Sequence, residues 1–293
     1  MLSTNKAIGY LIASTLLIGC SGDTDLTVND GGITLAITDA AVDDASAIVI
    51  EFSSIEFKPR TESSFVINLD PPKRINLLAL QGGQFELLLS NKPIDSGTYS
   101  WIRLKVNALE NTMDSYVVSG TGGNHSLYMP SSNEAGLTLN QGFTISATGG
   151  IHLTIDFDLR KSITAPELPD TNYILKPSLR QVMTNKSGHI RGTVSSEAMQ
   201  GDLCTGTGYA VYAYEGLNIT PDDVDNIGVE PITTSLLTDT TFAYSLGFLA
   251  EGSYTIAFTC DAANDLPGSS ETLKYIGITN ITVTAGQTVT HDF

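Results

Sequence analysis

The chain reads as all-β, built as two β-sandwiches of immunoglobulin or transthyretin size behind a short leader. Three observations predict this. Apolar and β-branched runs of five to eleven residues recur from Ile33 to the carboxyl terminus. Gly, Asn, Asp and Pro separate them, and helical periodicity is nearly absent.

The leader is the segment Ala7 to Gly19, apolar or small throughout, with Lys6 as the only charged side chain before Cys20. A helix of 13 residues rises about 20 Å, short of the ~30 Å hydrocarbon core, so it matches a signal peptide better than a membrane span. It ends on Leu17, Ile18, Gly19 and Cys20. That tetrapeptide resembles the lipobox of bacterial lipoproteins. The resemblance implies cleavage after residue 19 and lipid on the Cys20 sulfur, with two or more acyl chains giving stable attachment. The alternative is an ordinary cleavage site that happens to contain a cysteine. Ser21 follows, where an aspartate would favour inner-membrane retention, so the resemblance implies the outer membrane. Residues 20–32 then read as a solvated tether.

Removal of residues 1–19 leaves 14 basic against 32 acidic side chains, a net charge of −18. Nucleic acid is excluded as a partner class, because phosphate binding draws on clustered Lys and Arg. The membrane, reached through lipid, and a glycan or an envelope protein remain as partners. Cys204 and Cys260 are the only other cysteines. In an oxidising compartment they are expected to pair.

In the first half, strands are expected at "ITLAIT" from Ile33, "AIVIEFSSIEF" from Ala47, "SFVINL" from Ser64, "YSWIRLKV" from Tyr99, "FTISA" from Phe143, "IHLTIDFDL" from Ile151 and "YILKPSLRQV" from Tyr173. "INLLALQGG" from Ile75 has no clean period and reads as a buried loop or a helical turn. Polar residues 183–187 suggest a linker, giving expected domains at 33–182 and 188–293. About seven strands are expected in the second. Each half carries a glycine two residues before a strand-opening tyrosine, at Gly97-Thr98-Tyr99 and Gly252-Ser253-Tyr254. The apolar phase after the two tyrosines differs. A bulge after Tyr99 would reconcile them; otherwise the likeness is a common way to start a sandwich strand.

Five motifs in order, "ITLAITDAAVDDASAIVIEFSSIEF", "INLLALQGG", "DSGTYSWIRLKV", "IHLTIDFDLRKSI" and "YILKPSLRQV", resemble the bacterial domain of unknown function 4382, over about Gly32 to Val182. The family brings no established activity. Residues 188–293 resemble more loosely a carboxypeptidase-regulatory or transthyretin-like sandwich, which implies a structural or binding appendage.

Few residues suggest chemistry. Asp39, Asp43 and Asp44 in "TDAAVDDA" invite a calcium reading, but calcium takes six to eight oxygens, and turn capping accounts for them as well. "TPDDVDNIG" from Thr220 matches half of a calcium loop at Asp223, Asp225 and Gly228. Ile227 and Thr234 then stand where ligands are required. A helix start, with Thr220 as N-cap and Pro221 following, is the competing account. Asp156 and Asp158 share one face of a strand whose other face is Ile151, Leu153, Ile155 and Phe157, so pairing with Arg103 or Lys105 is expected. The same acids are the candidates if the protein is an envelope glycan hydrolase. The four histidines form no metal or catalytic pattern, and nothing asks for a cofactor. Trp101, Tyr99, Tyr128, Tyr212 and Tyr214 are candidates for an aromatic contact surface, against the bland alternative that they pack the core. The reading is therefore a lipid-anchored, non-catalytic binding or scaffolding module of the cell envelope, with an accessory subunit of a surface assembly as a further possibility.

Overall fold

The computed structural model describes residues 32–40, 45–120, 122–130, 136–166, 172–238, 240–267 and 269–293. The fold is all-β. The first strands are β1 (Gly32–Ala40), β2 (Ala45–Pro59), β3 (Phe65–Asn76), β4 (Glu86–Pro93), β5 (Gly97–Asn107), β6 (Tyr116–Ser119) and β7 (Asn124–Tyr128). There follow β8 (Leu137–Leu139), β9 (Phe143–Ile145), β10 (Ile151–Asp158), β11 (Ile163–Thr164), β12 (Tyr173–Leu175) and β13 (Leu179–Met183). A second group comprises β14 (Ser187–Thr193), β15 (Ala210–Glu215), β16 (Thr233–Leu236), β17 (Ala243–Ala250), β18 (Gly252–Thr259), β19 (Tyr275–Val283) and β20 (Thr288–Thr290). Two short helices, α1 (Leu159–Ser162) and α2 (Ser196–Gln200), complete the regular elements with a few 3-10 turns.

The strands form four sheets, and no ladder among the described residues joins β1–β13 to β14–β20. In the first group, β13-β10-β1-β4 faces a nine-stranded sheet centred on β2 and β5, with a core that includes Ile33, Leu35, Ile50, Phe52, Leu104 and Phe157. In the second, β17-β14-β20 faces β16-β15-β18-β19 over Ile190, Val211, Leu246, Ile256 and Phe258. Residues 183–187 comprise the last residue of β13, a 3-10 turn at Thr184–Lys186 and the first residue of β14. "INLLALQGG" contains another, Leu77–Gly83, with Leu77 and Leu80 buried.

Local chemistry explains the irregularities. In β2 the apolar set Ile48, Ile50, Phe52 changes parity to Ile55, Phe57, and the register slips between Phe52 and Ser54 to keep both sets inward. Opposite that slip, residues 69–72 leave the ladder; they include Pro71 and Pro72, which have no N–H to offer it. A bulge after Tyr99 is present: Lys58 pairs with Trp101 and Pro59 with Tyr99, so Ser100 is the extra residue. Tyr99 thereby shares the core with Ile102 and Leu104.

Candidate functional site

The two strand groups meet along the outer face of β1 and β10. Strand β10 runs parallel to β1 with Thr38 opposite Asp156. Alternation predicts solvent on that face, yet Thr154 is 0% and Asp156 4% exposed. The cover includes the 3-10 turn and β17. Ser245 donates to the Gly82 carbonyl at 3.0 Å, and a Cβ on Gly247 would stand 2.9 Å from the Gly83 Cα, so this contact requires glycine. Phe85 and Phe248 meet edge to face.

The expected pairing of Asp156 and Asp158 with Arg103 or Lys105 is corrected. Strand β5 lies in the other sheet, so those cations never reach β10. Asp156 instead binds Arg180, whose guanidinium also donates to the Phe248 carbonyl at 2.9 Å. Asp158 caps α1, accepting the Lys161 N–H at 3.2 Å. Burial pushes its carboxyl up to about 6, against the lowering effect of Lys161. Arg103 pairs with Glu56, directly opposite it on β2, at 3.1 Å.

The turn of α1 throws Arg160 and Lys161 towards the second strand group. Arg160 donates to the Tyr212 hydroxyl and, at 3.2 Å, to Asp265 Oδ2; the two charged side chains are 3% and 0% exposed. Tyr212 itself donates to Asp265 Oδ2, and Asp265 Oδ1 accepts the Val224 N–H at 2.9 Å. Burial, with Arg160 opposing it, holds the Tyr212 hydroxyl far above its ordinary titration range. Lys161 reaches Glu230 at 2.7 Å and the Pro231 carbonyl at 2.9 Å. Beside this hub opens a crevice of about 330 Å³, walled by Ile48, Val117, Ile163 and Tyr173 from one group and Leu266 and Pro267 from the other. Its walls are mainly apolar; Arg160 and Asp265 border it already bonded to each other.

The remaining candidates separate. Cys204 and Cys260 form a disulfide with Cα atoms 5.2 Å apart. Cys20, Asp43 and Asp44 lie outside the described residues, and Asp39 is buried at 6% exposure. The aromatic surface is corrected for three of its five members. Tyr99 is 2% exposed, stacked on Phe143, with its hydroxyl on the Asp95 carbonyl at 2.8 Å. Tyr212 and Tyr214 are fully buried because Ile219, Val224, Ala262, Leu273 and Tyr275 cover the face of β15 that its alternation turns outward. Trp101 and Tyr128 are half-buried; Arg103 lies over the indole at 4.5 Å. The helix expected from Thr220 does not form. Asn226 and Gly228 have φ of 66° and 73°, and Asp225 accepts the Ile227 N–H at 2.7 Å, a local bond that competes with helix. The acids that do converge among the described residues are Asp223, Asp265 and Glu271. Sequence reading named Asp223 for a local motif and missed the other two, whose only signal was a carboxylate in an unassigned loop.

Among the described residues no helix is long and apolar enough to cross a membrane. Curated proteins offer no sequence match. Solved structures show remote similarity. The TIE protein of Bacillus anthracis is 10% identical over 90% of this chain with a TM-score of 0.23, and the chain spans 34% of that protein's length. The minor pilin GBS52 of Streptococcus agalactiae is 11% identical over 89% of this chain and 94% of its own, with a TM-score of 0.22. The major pilin of Streptococcus pyogenes is 11% identical over 90% and 98%, with a TM-score of 0.20. A family model matches residues 30–177, half of the chain and all of β1–β12, and the chain belongs to that family, described as domain of unknown function (DUF4382).

Proposed function

We propose that this is a non-catalytic binding module of the bacterial cell envelope, held to the outer membrane through lipid on Cys20 and a tether over residues 20–32. On this reading the two strand groups are separate domains, divided at 183–187, that act together because Arg160, Tyr212 and Asp265 bind one to the other. One observation carries the proposal: the crevice beside that hub takes its walls from both groups, and its charged members already satisfy each other. What it offers a partner is apolar wall, which suits a protein segment of the envelope better than a glycan. The Leu17-to-Cys20 motif and the disulfide support the compartment.

The test is gentle solubilisation of host membranes, followed by cross-linking and mass spectrometry of the purified full chain. We expect acyl chains at Cys20 and a co-purifying envelope protein. Leu266→Asp, at a rim residue 59% exposed, is expected to lose that partner while keeping its melting temperature. An unmodified amino terminus would overturn the anchor. Partner capture unaffected by Leu266→Asp, or no capture by the wild type, would overturn the crevice.

A further inference from the structure

The segments covering Tyr212 and Tyr214 bring three carboxylates together that the sequence keeps apart. Asp223 comes from one segment, Asp265 and Glu271 from the other, and one oxygen of each lies within 4.8 Å of the others. Asp223 is 1% exposed and Asp265 4%. Their hydrogen bonds leave a gap. Asp223 Oδ2 accepts the Glu271 N–H, and Asp265 is held at Oδ2 by Tyr212 and Arg160 and at Oδ1 by Val224. The Glu271 oxygens accept from Ser269 and from the Leu266 N–H. Asp223 Oδ1 is fully buried and has no hydrogen-bond partner.

A carboxylate oxygen removed from water without a partner is costly, and two further carboxylates within 5 Å add repulsion. Of the three carboxylates, Asp265 is the one shown paired with Arg160. A proton, an ordered water or a cation would satisfy the orphan oxygen. The spacing fits a cation. Around an ion with oxygen ligands at about 2.4 Å, adjacent ligands stand about 3.4 Å apart and opposite ones about 4.8 Å, and calcium tolerates this range where magnesium demands a stricter octahedron. All donors in the trio are oxygens, which disfavours zinc.

We propose that Asp223, Asp265 and Glu271 form a calcium site, with water completing the coordination. The ion would tie the segment carrying Asp223 to the one carrying Glu271 and Leu266. One rim of the crevice would thus become calcium-dependent. This site stands whether or not the chain is lipid-anchored.

The experiment uses the full chain stripped with chelator, titrated with calcium by calorimetry and thermal melting, with magnesium in parallel and terbium as a luminescent probe. We expect saturable calcium binding, and a melting temperature about 5 °C or more higher at calcium about a hundredfold above Kd. Tyrosine-sensitised terbium emission is expected because Tyr212 bonds Asp265 directly. Asp223→Asn is expected to weaken calcium about tenfold or more, since ligand charge tunes affinity. Glu271→Gln, at a more exposed position, should weaken it too and decides the matter should Asp223→Asn not fold. No calcium binding, or binding unchanged in both variants, would overturn the site.

Discussion

Arg160 and Arg103 each pair with a carboxylate and lie near an aromatic ring, yet they do different work. Arg103 binds Glu56 across neighbouring strands of one sheet, with side chains 27% and 14% exposed, and its guanidinium covers Trp101. Arg160 binds Asp265 across the boundary between the strand groups, with 3% and 0% exposed. Water screens the first pair and returns to either partner if the other is removed. The second has no such fallback. The same chemistry is therefore a minor trim in one place and a structural commitment in the other.

Breaking the buried pair should have the largest effect. Arg160→Met leaves Asp265 charged and buried, and we expect a loss of about 3–5 kcal/mol in denaturant unfolding. A loss below about 1 kcal/mol would mean that the pair is wet, and the contrast with Arg103 would vanish.

Asp158 sharpens the comparison through pH. Its carboxyl is raised to about 6 in the fold, chiefly by burial, from an ordinary 3.8. The fold therefore favours the protonated acid: the penalty for ionisation is absent below the ordinary value, grows as pH rises towards 6 and is complete above it. Asp158→Asn keeps a capping oxygen and removes the charge. Its stability should match the wild type near pH 4 and exceed it by about 2–3 kcal/mol at pH 8. A difference that is flat with pH would show that Asp158 stays hydrated.

The smallest effect belongs to the exposed pair. Arg103→Ala should cost under about 1 kcal/mol, and less at high salt. A cost similar to that of Arg160→Met would mean that stacking on Trp101, not the ion pair, holds this face.

Much of the strand pattern was legible because alternation is local. "ITLAIT" became β1, and the shared Gly-x-Tyr stretches became equivalent corners: Tyr99 bonds the Asp95 carbonyl at 2.8 Å and Tyr254 the Ala250 carbonyl at 2.6 Å. The phase mismatch after Tyr99 left a bulge and a mere common strand start open, and the structure has the bulge. The partners of the charges were not legible. Asp156 sits on the outward side of β10, as the pattern says, but the second strand group covers that side and supplies its environment. Tyr212 and Tyr214 failed as a surface for the same reason. The calcium-like half-motif at Asp223 fails as a linear loop, because the carboxylates beside it arrive from 42 and 48 residues further along.

By itself the sequence determined the all-β class, the strand edges marked by Gly, Asn and Pro, the pairing of Cys204 with Cys260 and membership of its family. Each is a property of neighbouring residues, of a cysteine pair with no competitor among residues 21–293, or of ordered motifs. Only the tertiary structure decided that Arg160 meets Asp265, that Arg180 takes Asp156 and that Asp223 joins Glu271. A period of two states which side of a strand a residue occupies. What covers that side depends on contacts tens to a hundred residues distant, and a charge takes its energy from that cover.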